Sequence, residues 1–149
     1  MEREKLEKNL NEIGIKVRWT SKENLIEELK IFLKDKNYCI SQYLELDLKN
    51  SVSIKEAEVG VFEGIALCEK TGTILVFSDD LSSLIPPISL VILKDENIKA
   101  ELDDLIDIIK EKEEKSFAFI CGPSRTADIE KQVVVPAHGP KELNLIIYK

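Results

Sequence analysis

The chain is poor in the residues on which many site chemistries depend. Among 149 residues there are three cysteines, one histidine and one tryptophan. Cys39, Cys68 and Cys121 are scattered, with no C-x-x-C pair and no even count. That argues against a disulfide framework and against a cysteine-ligated zinc or iron–sulfur centre. Cys68 sits in an apolar run and Cys121 ends one, so both read as small buried hydrophobes. A second histidine, a Ser-x-Gly elbow and a G-x-G-x-x-G loop are all missing. The sequence therefore carries no sign of a serine triad, a histidine metal site or a bound dinucleotide. Basic clusters are also lacking. The net charge is −7 and the lysines alternate with glutamates, which describes a solvated mixed surface and not a phosphate-neutralising one, so no nucleic-acid partner is expected. No apolar run approaches the ~20 residues that cross a bilayer. The opening stretch MEREKLEKNL is charged throughout and cannot serve as a signal peptide. The expectation is a cytoplasmic protein with no membrane association.

What is present reads as one α/β domain. Leu6, Leu10 and Ile13 make a narrow apolar stripe on a charged helix that Gly14 stops. IKVRW reads as a short extended piece. In TSKENLIEELKIFLKDKN, Thr20 and Glu23 stand at capping-box spacing, and Leu25, Ile26, Leu29, Phe32 and Leu33 share one helical face. NYCISQYLELDL reads as a strand and a loop. From residue 59 onward VGVF, TILVFS, ISLVILK, FAFIC and LNLIIYK are short and rich in β-branched and aromatic residues, several of them apolar on both faces, as strands of a helix-covered parallel sheet are. ENIKAELDDLIDIIKEKEEK, with Ile98, Leu102, Leu105, Ile106 and Ile109 on a stripe, lies between ISLVILK and FAFIC at the length of a strand–helix–strand crossover. TADIEKQ reads as a further helix. LIPP reads as a surface turn. The fold class is thus α/β with a mostly parallel sheet flanked by helices. The helical residues 1–50 lead into an α/β core over 59–149.

Ligands of open α/β sheets gather at the carboxyl ends of the strands, and three glycine loops are candidates for that edge. In KTGT, Thr71, Gly72 and Thr73 offer hydroxyls and backbone N–H groups, or simply a tight turn between strands. In GPSRT, Gly122 permits a close approach or a positive φ, Pro123 stiffens the turn, and Ser124 or Thr126 can cap the helix expected to follow. A helix N-terminus attracts anions, and the Arg125 fork matches carboxylate or phosphate. The alternative is a capped turn whose arginine pairs with a surface carboxylate. In AHGP, His138 and Gly139 present either an acid–base group or a hydrogen-bonded turn histidine. Asp79 and Asp80 form a carboxylate pair without a third ligand at metal spacing. They read as turn residues, and no metal site is expected.

Taken together, TGTILVFS, LIPPISLVIL, FICGPSRTADIE and AHGPKELNLII resemble the LUD-domain family of LutC/YkgG lactate-utilization proteins. The likeness is read over residues 59–149, with GPSRTADIE its most specific part, and not over 1–50. It implies a Rossmann-like sandwich of the kind seen in CoA transferases, ribose-5-phosphate isomerase and glucosamine-6-phosphate deaminase. It also implies a place beside iron–sulfur subunits that oxidise L-lactate. The family motif maps onto Thr71, Gly72, Thr73, Gly122, Pro123, Ser124, Arg125, Thr126, Asp128, His138, Gly139 and Pro140. Two positions depart from it: Lys70 stands where members often carry an acid, and Pro136 where they often carry glycine. The leading expectation is a non-redox accessory subunit without a cofactor of its own, binding a small carboxylate or phosphate at the three loops. A stand-alone enzyme on a phosphorylated or CoA-linked molecule, with Asp128 or His138 as acid–base, is the competing reading. A purely structural interaction protein is the third. A homodimer through the stripe of the first helix is also open.

Overall fold

The computed structural model describes residues 2–112, 116–123, 126–127 and 140–149. Helix α1 (Arg3–Glu12) enters β1 (Ile15–Thr20), and α2 (Leu25–Leu33) leads to β2 (Tyr38–Ile40). A long coil reaches β3 (Val59–Glu63), followed by β4 (Ala66–Cys68) and β5 (Thr73–Phe77). The four-residue α3 (Leu81–Leu84) brings the chain back to β6 (Ile88–Lys94). Next come β7 (Ile98–Lys99), α4 (Leu102–Glu111), β8 (Phe117–Ile120), β9 (Thr126–Ala127) and β10 (Glu142–Tyr148).

The strands form two sheets. One runs β1-β10-β6-β3-β2 and is parallel throughout. The other runs β7-β4-β5-β8-β9, with every pair antiparallel except β4 with β7. Alternation along each strand sorts the side chains into layers. Val91 and Leu93 of β6, Leu143, Leu145 and Ile147 of β10, and Ile74 and Val76 of β5 meet in a cluster between the sheets. Their neighbours Leu90, Ile92 and Ile146 turn the other way and pack under Leu25, Leu29 and Leu33 of α2. Leu75, Phe117 and Phe119 face outward from the second sheet onto Leu105 of α4. The order of layers is helix, parallel sheet, mixed sheet, helix.

Two helices fill the open sides between the sheets. Leu6 and Leu10 of α1 enter the central cluster. On the far side α3 lies against β3 so closely that a Cβ on Gly60 would sit 1.9 Å from the Ser82 carbonyl oxygen. Pro86, read from the sequence as part of a surface turn, is buried there.

Three sequence expectations are corrected. Thr20 does not cap α2. It extends β1 opposite Tyr148, and the helix starts five residues later with Asn24 at its cap position. ISLVILK and FAFIC do not form one crossover unit. The first joins the parallel sheet and the second pairs antiparallel with β5 in the other sheet. Ile98 belongs to β7, not to the helix that follows. The parallel order of the first sheet and both long N-terminal helices stand as expected.

Candidate functional site

The TGT turn is the hairpin between β4 and β5. Gly72 takes φ +74°, a conformation costly to any residue with a Cβ. It also lies directly under α1, where a Cβ would come 2.4 Å from the Ile13 Cδ1. The Gly72 N–H donates to the Cys68 carbonyl at 2.8 Å, and the Thr73 N–H to Thr71 Oγ1 at 3.4 Å. Both amides are therefore used inside the turn. The Thr73 side chain is buried, its hydroxyl 2.8 Å from that of Thr71 and 3.6 Å from Cys121 Sγ. Lys70 reaches across the surface to Glu101 at 3.3 Å, an exposed pair worth little stability.

That Thr73–Cys121 contact joins the first loop to the second. Beyond Cys121, Gly122 has φ +101°, and a Cβ there would meet the Ile13 carbonyl oxygen at 2.8 Å. The Pro123 ring lies against Gly14, whose own Cβ position is 3.1 Å from it. One short segment, Ile13–Gly14, thus closes over both loops. Cys121 is half-buried, not buried as its place at a strand end implied. After the turn, Thr126 and Ala127 pair with Ile120 and Phe119 as β9. The opening of TADIE is therefore an antiparallel strand and not the start of a helix. The helix dipole invoked for an anion at Thr126 is not available from these residues. Ser124, Arg125, Asp128, His138 and Gly139 lie outside the described residues. Pro140, which ends the third motif, is buried, and the next residue, Lys141, donates its N–H to the Pro87 carbonyl at 2.7 Å.

The location of these loops also differs from expectation. Ile13 and Gly14 precede β1, while Pro87 and Pro140–Lys141 precede β6 and β10. The described parts of the three motifs therefore sit at the amino edge of the parallel sheet. The carboxyl-edge rule fails because the loops are largely set by the second sheet, whose β5 begins and whose β8 ends at this side.

The opposite edge holds a polar group that sequence reasoning treated as a simple turn. Asp80 is almost fully buried. Its carboxylate accepts from the Ser41 hydroxyl at 2.5 Å and from the Ser82 N–H at 3.1 Å. Burial pushes its pKa up, against those hydrogen bonds. The buried Cys39 thiol, 3.9 Å from Ser82 Oγ, is likewise raised by burial. Tyr43 donates to Asp79 at 2.8 Å. The signal was an Asp two residues before a Ser, the spacing of an Asx turn. Its role here is to hold α3 in place. Among the described residues no group of three His, Cys, Asp or Glu side chains is placed to hold a metal ion, and no helix is long and apolar enough to cross a membrane.

The LUD domain family model matches residues 56–148. The chain belongs to the LUD-domain family. Lactate utilization protein C 1 of Bacillus mycoides (strain KBAB4) is 27% identical over 173 aligned positions, covering 91% of this chain and 74% of that protein. Lactate utilization protein C of Bacillus subtilis (strain 168) is 34% identical over 113 positions, covering 66% of this chain and 47% of that protein. The chain thus aligns with about half the length of this second relative. A crystal structure of a DUF162 family protein from Deinococcus radiodurans superposes with a TM-score of 0.78 at 14% identity, over 99% of this chain and 96% of that one. At that identity the likeness speaks for the fold alone. Both wider alignments reach into residues 1–50, which the motif resemblance did not cover. Of the three motif loops, TGT and CGP are the parts that the structure brings into contact, through Thr73 and Cys121.

Proposed function

We propose that this LUD-domain chain serves lactate utilization as a non-redox accessory protein that binds a small carboxylate or phosphate at the loops carrying TGT, GPSRT and HGP. The observation that carries the reading is its likeness to proteins named lactate utilization protein C. The Thr73–Cys121 contact supports a common site for the first two loops. Arg125 would supply the charge, since its planar fork suits either anion. The exposed Thr71, which flanks the buried Thr73, and His138 would orient it. With Thr126 in a strand, the anion is held by side chains and loop amides and not by a helix dipole. Electron carriers would reside on iron–sulfur partner subunits.

The test is a thermal-shift series with lactate, pyruvate, inorganic phosphate, sugar phosphates and CoA compounds on wild type and Arg125→Ala. A ligand at 100 times its Kd stabilises by about 2.7 kcal/mol, enough to raise Tm visibly. A rise in wild type that is lost in the variant supports the site and names its ligand class. No rise with any compound, alone or with iron–sulfur subunits present, refutes it.

A further inference from the structure

A second groove lies on the outer face of the parallel sheet, away from the three loops. Helix α2 covers Val59, Val61, Leu90, Ile92 and Ile146 but leaves the edge strand β1 and the start of β10 open. The space between them is about 470 Å³, within the range of small-molecule sites. Lys16 and Arg18 of β1 and Lys36 beyond α2 line it. Lys16 pairs with Glu142 at 3.0 Å and Arg18 with Glu28 at 3.4 Å, while Lys36 donates to the Phe32 carbonyl at 2.8 Å. Three cations against two carboxylates leave a positive excess in a chain whose net charge is −7. A hydrogen bond from Asn144, together with Lys16, also holds Glu142 below the usual carboxylate range, so it stays ionised and paired.

Two features of the groove offer contacts to a ligand. Asn144 is only 6% exposed and lines the groove. Its amide nitrogen donates to Glu142 at 3.0 Å and to the Ser89 carbonyl at 3.4 Å. Both partners are acceptors, which fixes the orientation of the amide. Its carbonyl oxygen then takes no hydrogen bond from any described residue. Beside it, Ile31 is 62% exposed and lines the same groove with the half-buried Phe32. A solvent-open acceptor, an apolar wall and an excess of cations complement one kind of molecule.

We propose that this groove binds a medium-chain hydroxy acid. The carboxylate lies among Lys16, Arg18 and Lys36, the hydroxyl donates to the Asn144 carbonyl, and the alkyl chain covers Ile31 and Phe32. This site shares no residue with the three loops, and it stands or falls independently of the function proposed for them.

Calorimetric titration of the whole chain with 3-hydroxyoctanoate tests it, with 3-hydroxybutanoate and octanoate alongside. Each buried methylene strengthens binding by about fourfold, so the eight-carbon hydroxy acid should bind at least ~10-fold more tightly than the four-carbon one. Octanoate, lacking the hydroxyl, should bind more weakly than 3-hydroxyoctanoate. Lys16→Gln combined with Lys36→Gln should weaken the eight-carbon hydroxy acid by about 10-fold or more. Ile31→Ser should weaken it while leaving 3-hydroxybutanoate unchanged. Lys16 and Ile31 are exposed and Lys36 is half-buried, and an unchanged Tm of each variant certifies its fold. Arg125→Ala should leave this binding intact. The absence of saturable binding, equal affinity for the four- and eight-carbon acids, or full binding by the lysine double variant overturns the proposal.

Discussion

The two sheets of this LUD-domain chain are built from sequence runs that look alike, yet they are organised by different constraints. ISLVILK and LNLIIYK become β6 and β10, adjacent and parallel in the centre of one sheet. TILVFS and FAFIC become β5 and β8, adjacent and antiparallel in the other. All four are apolar on both faces because each sheet is sandwiched, the first by α2 and the second by α4. Burial on both faces therefore reports the number of layers and not the direction of the neighbours. Direction follows the connections. The turn through Gly72 is short enough only for a hairpin, whereas between β6 and β10 the chain passes through β7, α4, β8 and β9.

Changes at the contact between the parallel sheet and its helical filling should be the most damaging. Gly60→Val drives a side chain into the backbone of α3, which cannot yield as a side chain tip can. A loss of more than about 4 kcal/mol, or failure to fold, is expected in urea denaturation followed by circular dichroism. If the variant is nearly as stable as wild type, α3 does not pack against β3 as described.

Leu145→Ala should come next. It empties a fully buried position between the sheets at a cost of about 3 kcal/mol in the same assay. Gly72→Ala should cost about 1–2 kcal/mol, because it adds a positive-φ penalty in the second sheet while the facing Ile13 side chain can move. A smaller loss at Gly60 than at Gly72 would reverse the comparison between a backbone contact and a side-chain contact.

Asp80 sharpens the comparison through pH. Its folded pKa is raised, so the folded state binds this proton more tightly than the unfolded chain does. The resulting stabilisation is complete below the unfolded carboxylate pKa and is lost as pH rises through the folded value. Urea midpoints of wild type and Asp80→Asn, measured from pH 4 to 8, should diverge upward, with the variant gaining relative to wild type as pH rises. Parallel curves would show that the carboxyl titrates as it does when unfolded. The smallest effect belongs to Lys70→Ala, whose exposed pair with Glu101 should change stability by less than about 0.5 kcal/mol.

Much of the fold was legible because hydrophobic period is a local property. The stripe of Leu6 and Leu10, the face of Leu25, Leu29 and Leu33, and the five apolar runs all became the elements they implied. Ala66–Cys68 and Ile98–Lys99 were missed because two- and three-residue strands have no period to detect. The site was less legible. TGT and CGP were recognised as motifs, but their contact through Thr73 and Cys121 depends on strand pairing 48 positions apart. Nothing local announced that Ile13 would be the residue covering both glycines. Nor could the capping-box spacing at Thr20 reveal that pairing with Tyr148 would claim that residue for β1.

The sequence alone determined which apolar runs are buried, roughly where helices and strands lie, and to which family the motifs point, since these follow from the order of side chains over a few positions. Tertiary structure alone decided that the strands divide between two sheets, that the motif loops gather at the amino edge, and that Asp80 is enclosed. Each of these is a long-range choice among partners, and it is settled by which pairings satisfy the backbone hydrogen bonds while burying every apolar face at once.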